Sequence, residues 1–109
     1  MKRGEIWTAT GAGDDAGKPR PVVIVQDDRF DGTASLTVCP FTSSPVDAPL
    51  LRLRVEPDAA NGLEVASRLM VDKLTTVSRE RLRRRVGRLA DADMVRLQRA
   101  IVTFLGLAG

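Results

Sequence analysis

Turn-forming residues interrupt the first two-thirds of this 109-residue chain at short intervals, which leaves room only for short secondary-structure elements. The turns are predicted at Gly11–Gly17, Asp31–Gly32, Ser43–Pro49 and Asn61–Gly62. The runs between and beyond them are typical of β-strands: Gly4–Thr10, Arg20–Gln26, Ala34–Phe41, Leu51–Val55, Ser67–Asp72 and Arg85–Leu89. This pattern predicts one domain built mainly from short strands.

The second and third of these runs predict an antiparallel hairpin. Arg20–Gln26 is rich in β-branched residues and nearly continuous, as expected for a strand that is buried on both faces. The turn at Asp31–Gly32 joins it to Ala34–Phe41. Pro40 has no backbone N–H to donate, so we expect it at a sheet edge or at a bulge.

Helix signals come late in the chain. Ser78 is placed to cap a short helix over Arg79–Arg84, and Asp91 to cap a longer helix that ends near Gly106. Apolar residues of the longer helix follow the spacing of one face: Met94, Leu97, Ile101, Phe104 and Leu105. We therefore predict a mainly β, α+β fold. It is a small, strongly bent antiparallel sheet or partly open barrel, with a short helix and a C-terminal helix packed on it.

The chain has no histidine and one cysteine, Cys39, which excludes several kinds of site. Catalytic triads, histidine-ligated metals and the two-histidine way of cleaving RNA all need histidine. A lone cysteine forms no intrachain disulfide and no cysteine-built zinc site, so we expect Cys39 to be a small core residue. Asp14 and Asp15 lie in a glycine-rich stretch and are expected to be solvated. We expect no metal and no cofactor.

The sequence offers no membrane-spanning segment. No apolar run approaches the roughly twenty residues that cross a bilayer, and the start, MKRGEIW, lacks the apolar core of a signal peptide. We expect a cytoplasmic protein with no membrane contact.

Positive charge is concentrated in the second half of the chain. Residues 1–51 carry five basic and seven acidic side chains, whereas residues 52–109 carry twelve basic and seven acidic ones. Six arginines fall between Arg79 and Arg88. Such a cluster binds a polyanion by releasing its counterions, attracts an acidic protein segment, or forms a solvated face. These three interpretations stay open from the sequence.

Arg20 and Thr42 are candidate site residues because the hairpin brings the outer ends of its strands together. Arg20 lies between two prolines that restrict the backbone, so its guanidinium is held for contact with phosphate oxygens, or it simply marks the end of a strand. Thr42, Ser43 and Ser44 end the third run, where hydroxyls donate to a phosphate or satisfy a turn. Paired strands lie about 5 Å apart, which places a guanidinium and a hydroxyl in one small site.

Four segments together resemble the MazF/PemK endoribonuclease toxins of bacterial toxin–antitoxin pairs. They are KRGEIW, GKPRPVVIVQDD, VCPFTSS and SRLMVDKLTTVSRERL, in the order and spacing of that family and over nearly the whole chain. The resemblance implies a small SH3-like β-barrel with helices that forms a homodimer. It also implies an acidic cognate antitoxin as inhibitor and single-stranded RNA as substrate.

The resemblance further implies a reaction and its residues. A ribose 2′-hydroxyl attacks the neighbouring phosphorus without a metal and leaves a 2′,3′-cyclic phosphate and a 5′-hydroxyl. Arg20 and Thr42 match the catalytic arginine and threonine of the family. A guanidinium stays protonated at neutral pH, so Arg20 is a poor general base and suits stabilisation of charge on the phosphorane. Residues that the family match assigns to RNA binding are Lys18, Gln26, Ser43, Asp72 and Lys73.

The chain also departs from the family pattern. Lys73 stands where the family often has glutamine, and lysine donates hydrogen bonds but accepts none, so the target sequence is expected to differ. The Thr10–Pro19 loop lacks aromatic residues. One alternative is a CcdB-like, non-catalytic gyrase-poisoning toxin of the same fold, although the tail after Phe104 has no tryptophan. A β-barrel binding module that has lost activity is another alternative.

Overall fold

A computed structural model describes residues 1–11 and 18–107, which form an antiparallel sheet followed by a helix. The strands are β1 (Glu5–Ala9), β2 (Arg20–Ile24), β3 (Ser35–Thr42), β4 (Arg52–Val55), β5 (Ser67–Met70), β6 (Thr75–Ser78) and β7 (Leu82–Arg88). The helix α1 spans Asp91–Phe104, and single 3-10 turns occupy Asp28–Phe30, Val71–Lys73 and Arg79–Arg81. Asp14 and Asp15 lie outside the described residues.

The strands follow the order β4-β5-β3-β2-β1-β7, and β6 pairs with β3 beside this path. Every one of these pairings is antiparallel. β3 pairs with β2 along one edge, while its other edge pairs first with β6 over Ser35–Val38 and then with β5 over Phe41–Thr42. Within the described ranges β4 and β7 end the path without pairing to each other, so the sheet is bent and not closed. The predicted α+β fold is confirmed.

The expectation for Pro40 is wrong. Pro40 is buried in an internal strand, opposite Val22 of β2, and lies neither at a sheet edge nor at a bulge. It falls between Val38, the last β3 residue paired with β6, and Phe41, the first paired with β5. The missing N–H therefore coincides with the point where β3 changes partners.

Two apolar clusters lie on opposite faces of β2, which explains why its sequence is continuously apolar. Val23 packs with Cys39 and Leu97 of α1 in the cluster beneath the helix. Val22 and Ile24 pack in the second cluster, with residues from β1, β3, β6 and β7. Burial raises the pKa of the Cys39 thiol to about 12, with the charge of Asp72 adding to the shift. Cys39 is thus the core residue that the sequence predicted.

The structure corrects both helix predictions. Ser78 makes no side-chain capping bond, and the proposed helix over Arg79–Arg84 is one 3-10 turn, Arg79–Arg81, because the following residues pair with β1 in β7. Asp91 is the first residue of α1 rather than its cap, where its carboxylate favours the positive end of the helix dipole. Met94 and Leu97 are buried, whereas Phe104 and Leu105 of the predicted apolar stripe are exposed. No helix in the described ranges has the length and apolar character needed to cross a membrane.

Candidate active site

A cavity of about 280 Å³ opens where β1 and β3 end and β2 begins, beside the connection from β4 to β5. The strands contribute Thr8, Arg20, Pro21, Phe41, Thr42, Ser67, Arg84 and Val86 to its lining, and the connecting segments contribute Lys18, Pro19, Ser43, Gly62, Leu63, Glu64 and Val65. Segments that are far apart in the sequence therefore meet around one space.

Arg20 and Thr42 meet in this cavity because of the register of the β2–β3 pair. The register of this pair runs from Ile24 opposite Val38 to Val22 opposite Pro40. Continuing the antiparallel register by two residues leads to Arg20 on β2 and Thr42 on β3. Both residues are half-buried and line the cavity. The structure thus brings together the two side chains that the hairpin argument placed at one end.

The hydroxyl of Thr42 is oriented by the turn that follows it. Its Oγ1 accepts a hydrogen bond from the backbone N–H of Ser44 at 3.2 Å. A hydroxyl that accepts in this way keeps its own proton for donation. Thr42 therefore keeps a hydrogen-bond donor available in the cavity that Arg20 also lines.

The charge of the cavity lining is predominantly positive. Lys18, Arg20 and Arg84 contribute cations, and Glu64 is the one carboxylate among the described lining residues. A concave site with several cations and a hydroxyl donor suits a phosphate group. No group of three or more residues suited to metal binding occurs within residues 1–11 and 18–107.

Gln26 lies outside the cavity, at the start of the connection between β2 and β3. Its Nε2 donates to the Phe30 carbonyl at 2.9 Å, and its Oε1 accepts from the Thr37 backbone N–H at 2.9 Å. Both ends of the amide thus hold this connection together. An RNA-binding role for Gln26 stays a prediction.

Asp72 and Lys73 also lie outside the cavity, in the 3-10 turn after β5. Asp72 accepts two hydrogen bonds from Arg52, at 2.9 and 3.1 Å. These bonds hold the pKa of the Asp72 carboxyl below its ordinary value. Lys18 and Ser43 line the cavity with the two catalytic candidates, whereas the RNA-binding roles of Asp72 and Lys73 remain untested predictions.

The β4–β5 connection is a part of the site that the sequence did not reveal. The side chain of Asn61 is buried in it, where Oδ1 accepts from the backbone N–H groups of Asp58 and Leu63 and Nδ2 donates to the Glu56 carbonyl. Gly62 adopts a φ of +68°, and an added Cβ there would overlap the Val86 carbonyl oxygen of β7. The sequence identified a turn at these residues but gave no sign that the turn folds back against β7.

The arginine cluster of residues 79–88 is divided among different surroundings. Arg84 lines the cavity, while Arg81 and Arg83 are exposed. The remaining members contact neighbouring groups: Arg79 donates to the Thr33 carbonyl at 2.6 Å, Arg85 lies 3.4 Å from Glu5, and Arg88 lies 3.5 Å from Asp91. The cluster is therefore not one uniform face: two of its arginines belong to the 3-10 turn Arg79–Arg81, four belong to β7, and one of these four, Arg84, lines the cavity.

Comparison with known proteins agrees with this architecture. Residues 2–105 match the family described as PemK-like, MazF-like toxin of type II toxin-antitoxin system. The chain is 62% identical over 109 residues to the probable endoribonuclease MazF of Mycolicibacterium smegmatis, with 100% of both chains covered. The Mycobacterium tuberculosis toxin MazF-mt6 has a similar structure, with a TM-score of 0.80 at 25% identity, covering 96% of this chain and 99% of that one. An endoribonuclease solved with its cognate antitoxin from a mycobacterial species shares the fold, with a TM-score of 0.78 at 22% identity, covering 100% of this chain and 98% of that one.

Proposed function

The chain belongs to the PemK-like, MazF-like toxins of type II toxin–antitoxin systems, and from this membership we propose that it is an endoribonuclease that cuts single-stranded RNA. The cleavage is sequence-specific and needs no metal ion. The single observation that carries this proposal is the positively charged cavity in which Arg20 and Thr42 lie together. Its full-length similarity to a probable endoribonuclease supports the same activity.

The proposed reaction is an internal transfer at phosphorus. A ribose 2′-hydroxyl attacks the adjacent phosphorus, and the bond to the 5′-oxygen breaks, which leaves a 2′,3′-cyclic phosphate and a 5′-hydroxyl. Negative charge builds on the equatorial oxygens of the phosphorane, where the Arg20 guanidinium and the Thr42 hydroxyl donate hydrogen bonds. Removal of one such donor typically slows a reaction by about 100- to 1,000-fold.

We propose an acidic segment of a cognate antitoxin as the inhibitor, which follows from the kind of system that the family description names. Exposed Arg83 of β7, and exposed Arg81 of the 3-10 turn before it, offer this segment positive charge. A homodimer is proposed as well, supported by apolar side chains that α1 and its end leave exposed, including Phe104, Leu105 and Leu107. The cytoplasm is the proposed site of action because that is where the RNA substrate is found.

The test uses purified protein and a long RNA of mixed sequence in the presence of EDTA. Products are mapped by sequencing, and their ends are tested for a 5′-hydroxyl. We expect cuts at a short recurring sequence that survive EDTA. Arg20→Ala and Thr42→Ala should each reduce the rate by about 100-fold or more.

The matched control is Arg99→Ala, which removes an exposed arginine of α1 that lies outside the cavity. This variant should cut at the wild-type rate. All variants should keep the wild-type circular dichroism spectrum, because Arg20 and Thr42 lie outside the apolar core. Intact RNA after incubation with folded wild-type protein would refute the proposal and make gyrase the next target to test.

A further inference from the structure

The proposed reaction requires a group that accepts the proton of the attacking 2′-hydroxyl. Arg20 is a protonated guanidinium, Thr42 offers a hydroxyl proton, and the chain has no histidine. Among the described residues that line the cavity, Glu64 is the one side chain with a carboxylate, the group in this lining that suits a general base. We propose that Glu64 is the general base of this cleavage reaction, an inference that rests on the proposed function.

The segment that carries Glu64 is held in place by packing and hydrogen bonds. Asn61 is 1% exposed, and its amide bonds three backbone groups of its own loop, as described above. Gly62 lies against the backbone of Val86, and Gly87 lies against that of Ala60 and Asn61. A catalytic group needs a supporting structure that keeps it in position, and this loop provides one for Glu64.

Among the described residues, the charged groups that share the cavity with Glu64 are Lys18, Arg20 and Arg84. Each of them is a cation that suits the phosphodiester oxygens, and none can take a proton from a hydroxyl at neutral pH. Glu64 itself is exposed, so solvent can remove the proton that it accepts. The described lining of the cavity thus combines cations suited to phosphate with one carboxylate that is exposed to solvent.

The proton and electron movements balance without any further reactant. The Glu64 carboxylate takes the 2′-hydroxyl proton as the oxygen lone pair forms the new bond to phosphorus. The electron pair of the breaking bond goes to the 5′-oxygen, which takes a proton from water. Glu64 returns its own proton to solvent after the product leaves, so the enzyme is restored.

The test compares wild-type protein with Glu64→Gln, which keeps the shape of the side chain but cannot act as a base. The substrate is a short RNA containing the sequence that the wild-type protein cuts. Single-turnover rates are measured at saturating protein across a range of pH. Affinity is measured separately with the same RNA carrying a 2′-deoxyribose at the cleaved position, which cannot react.

We expect Glu64→Gln to lower the single-turnover rate by about 100- to 10,000-fold, the usual contribution of a general base. Affinity for the unreactive RNA should stay close to that of the wild type. The wild-type rate should fall as the solution is acidified, and this acid limb should be absent in Glu64→Gln. Glu64→Asp, which keeps a carboxylate on a shorter side chain, should recover part of the rate and restore the acid limb.

The control is Glu56→Gln, which makes the same charge change in the same connection but outside the cavity, where Glu56 pairs with Arg54 at 2.6 Å. It should cleave like the wild type. If Glu64→Gln cleaves at the wild-type rate, with or without a changed target sequence, Glu64 is not the base and the nuclease assignment stands. A slow variant that keeps the acid limb would likewise overturn the inference. Absence of cleavage by the wild type would instead refute the proposed function.

Discussion

At Gly62 both the backbone conformation and the packing require glycine. Its φ of +68° lies in the left-handed region, and an ideal Cβ would come 2.9 Å from the Val86 carbonyl carbon and overlap its oxygen. A left-handed backbone costs an L residue about 1–2 kcal/mol. A forced shift of packed backbone costs about 1–3 kcal/mol more. We therefore expect Gly62→Ala to lower the free energy of unfolding by about 2–5 kcal/mol.

Alanine substitutions at three other glycines measure the conformational cost and the packing cost separately. Gly106 has a φ of +74° and nothing within 4 Å of an added Cβ, so its change to alanine should cost only the conformational part, about 1–2 kcal/mol. An added Cβ on Gly87 would overlap the backbone of Ala60 and Asn61, which should cost about 1–3 kcal/mol. Gly32 has open space around it, so alanine there should be neutral or slightly stabilising.

Urea denaturation followed by circular dichroism measures the free energy of unfolding of each variant, and thermal denaturation checks the order. For a domain of this size about 1 kcal/mol corresponds to roughly 4–8 °C in Tm, so Gly62→Ala should melt at least about 8 °C below the wild type. A Gly62→Ala protein as stable as Gly106→Ala would show that the loop does not lie against Val86. The account of a rigid loop under Glu64 would then fail.

Two further predictions concern charge. Arg52 lowers the pKa of the Asp72 carboxyl in the folded protein. The carboxylate therefore stabilises the folded state at pH values above the ordinary aspartate pKa of about 3.9. This stabilisation is lost as the pH falls through the lowered pKa. Asp72→Asn should therefore flatten the fall in unfolding free energy below about pH 4, and an unchanged acid dependence would contradict the effect of the Arg52–Asp72 pair. Reversing Arg83 and Arg85 to glutamate should weaken binding of RNA or of the antitoxin and reduce the dependence of log affinity on log salt concentration. The expected reduction for RNA is about 0.7 per lost phosphate contact. An unchanged salt slope for both ligands would show that the arginine cluster is a solvated face.

Strand positions were predictable because burial imposes a local pattern on them. The continuous apolar character of β2 reflects apolar clusters on both of its faces, and the alternation in β4 reflects one buried face. β6 was missed because its four residues, Thr75–Ser78, carry too short a signal on their own. Its pairing with Ser35–Val38 is a non-local contact that no local pattern encodes. For the same reason Arg79–Arg84 was predicted as a helix although pairing with β1 makes its second half a strand.

The cavity residues that one hairpin brings together were predictable from the sequence. Those that depend on distant segments were not. Arg20 and Thr42 line the same cavity at one end of the β2–β3 hairpin, and a turn between two apolar runs is enough to anticipate that geometry. Glu64 is a different case, since nothing in its neighbours suggests a site. It reaches the cavity only because the β4–β5 connection folds against β7.

Strand β3 links the apolar core to the cavity, so the two cannot be arranged independently. Over eight residues it pairs with β2 on one edge and with β6 and then β5 on the other, and its side chains enter both apolar clusters. Thr42 is the last residue of β3 and pairs with Arg68 of β5. It lines the cavity together with Arg20 of β2 and with Glu64, which lies in the β4–β5 connection. A change in the register of β3 by one residue would turn its buried side chains to the opposite faces and misplace Thr42 at once. The packing that fixes the fold therefore also places the proposed phosphate-binding pair and the proposed base around one cavity.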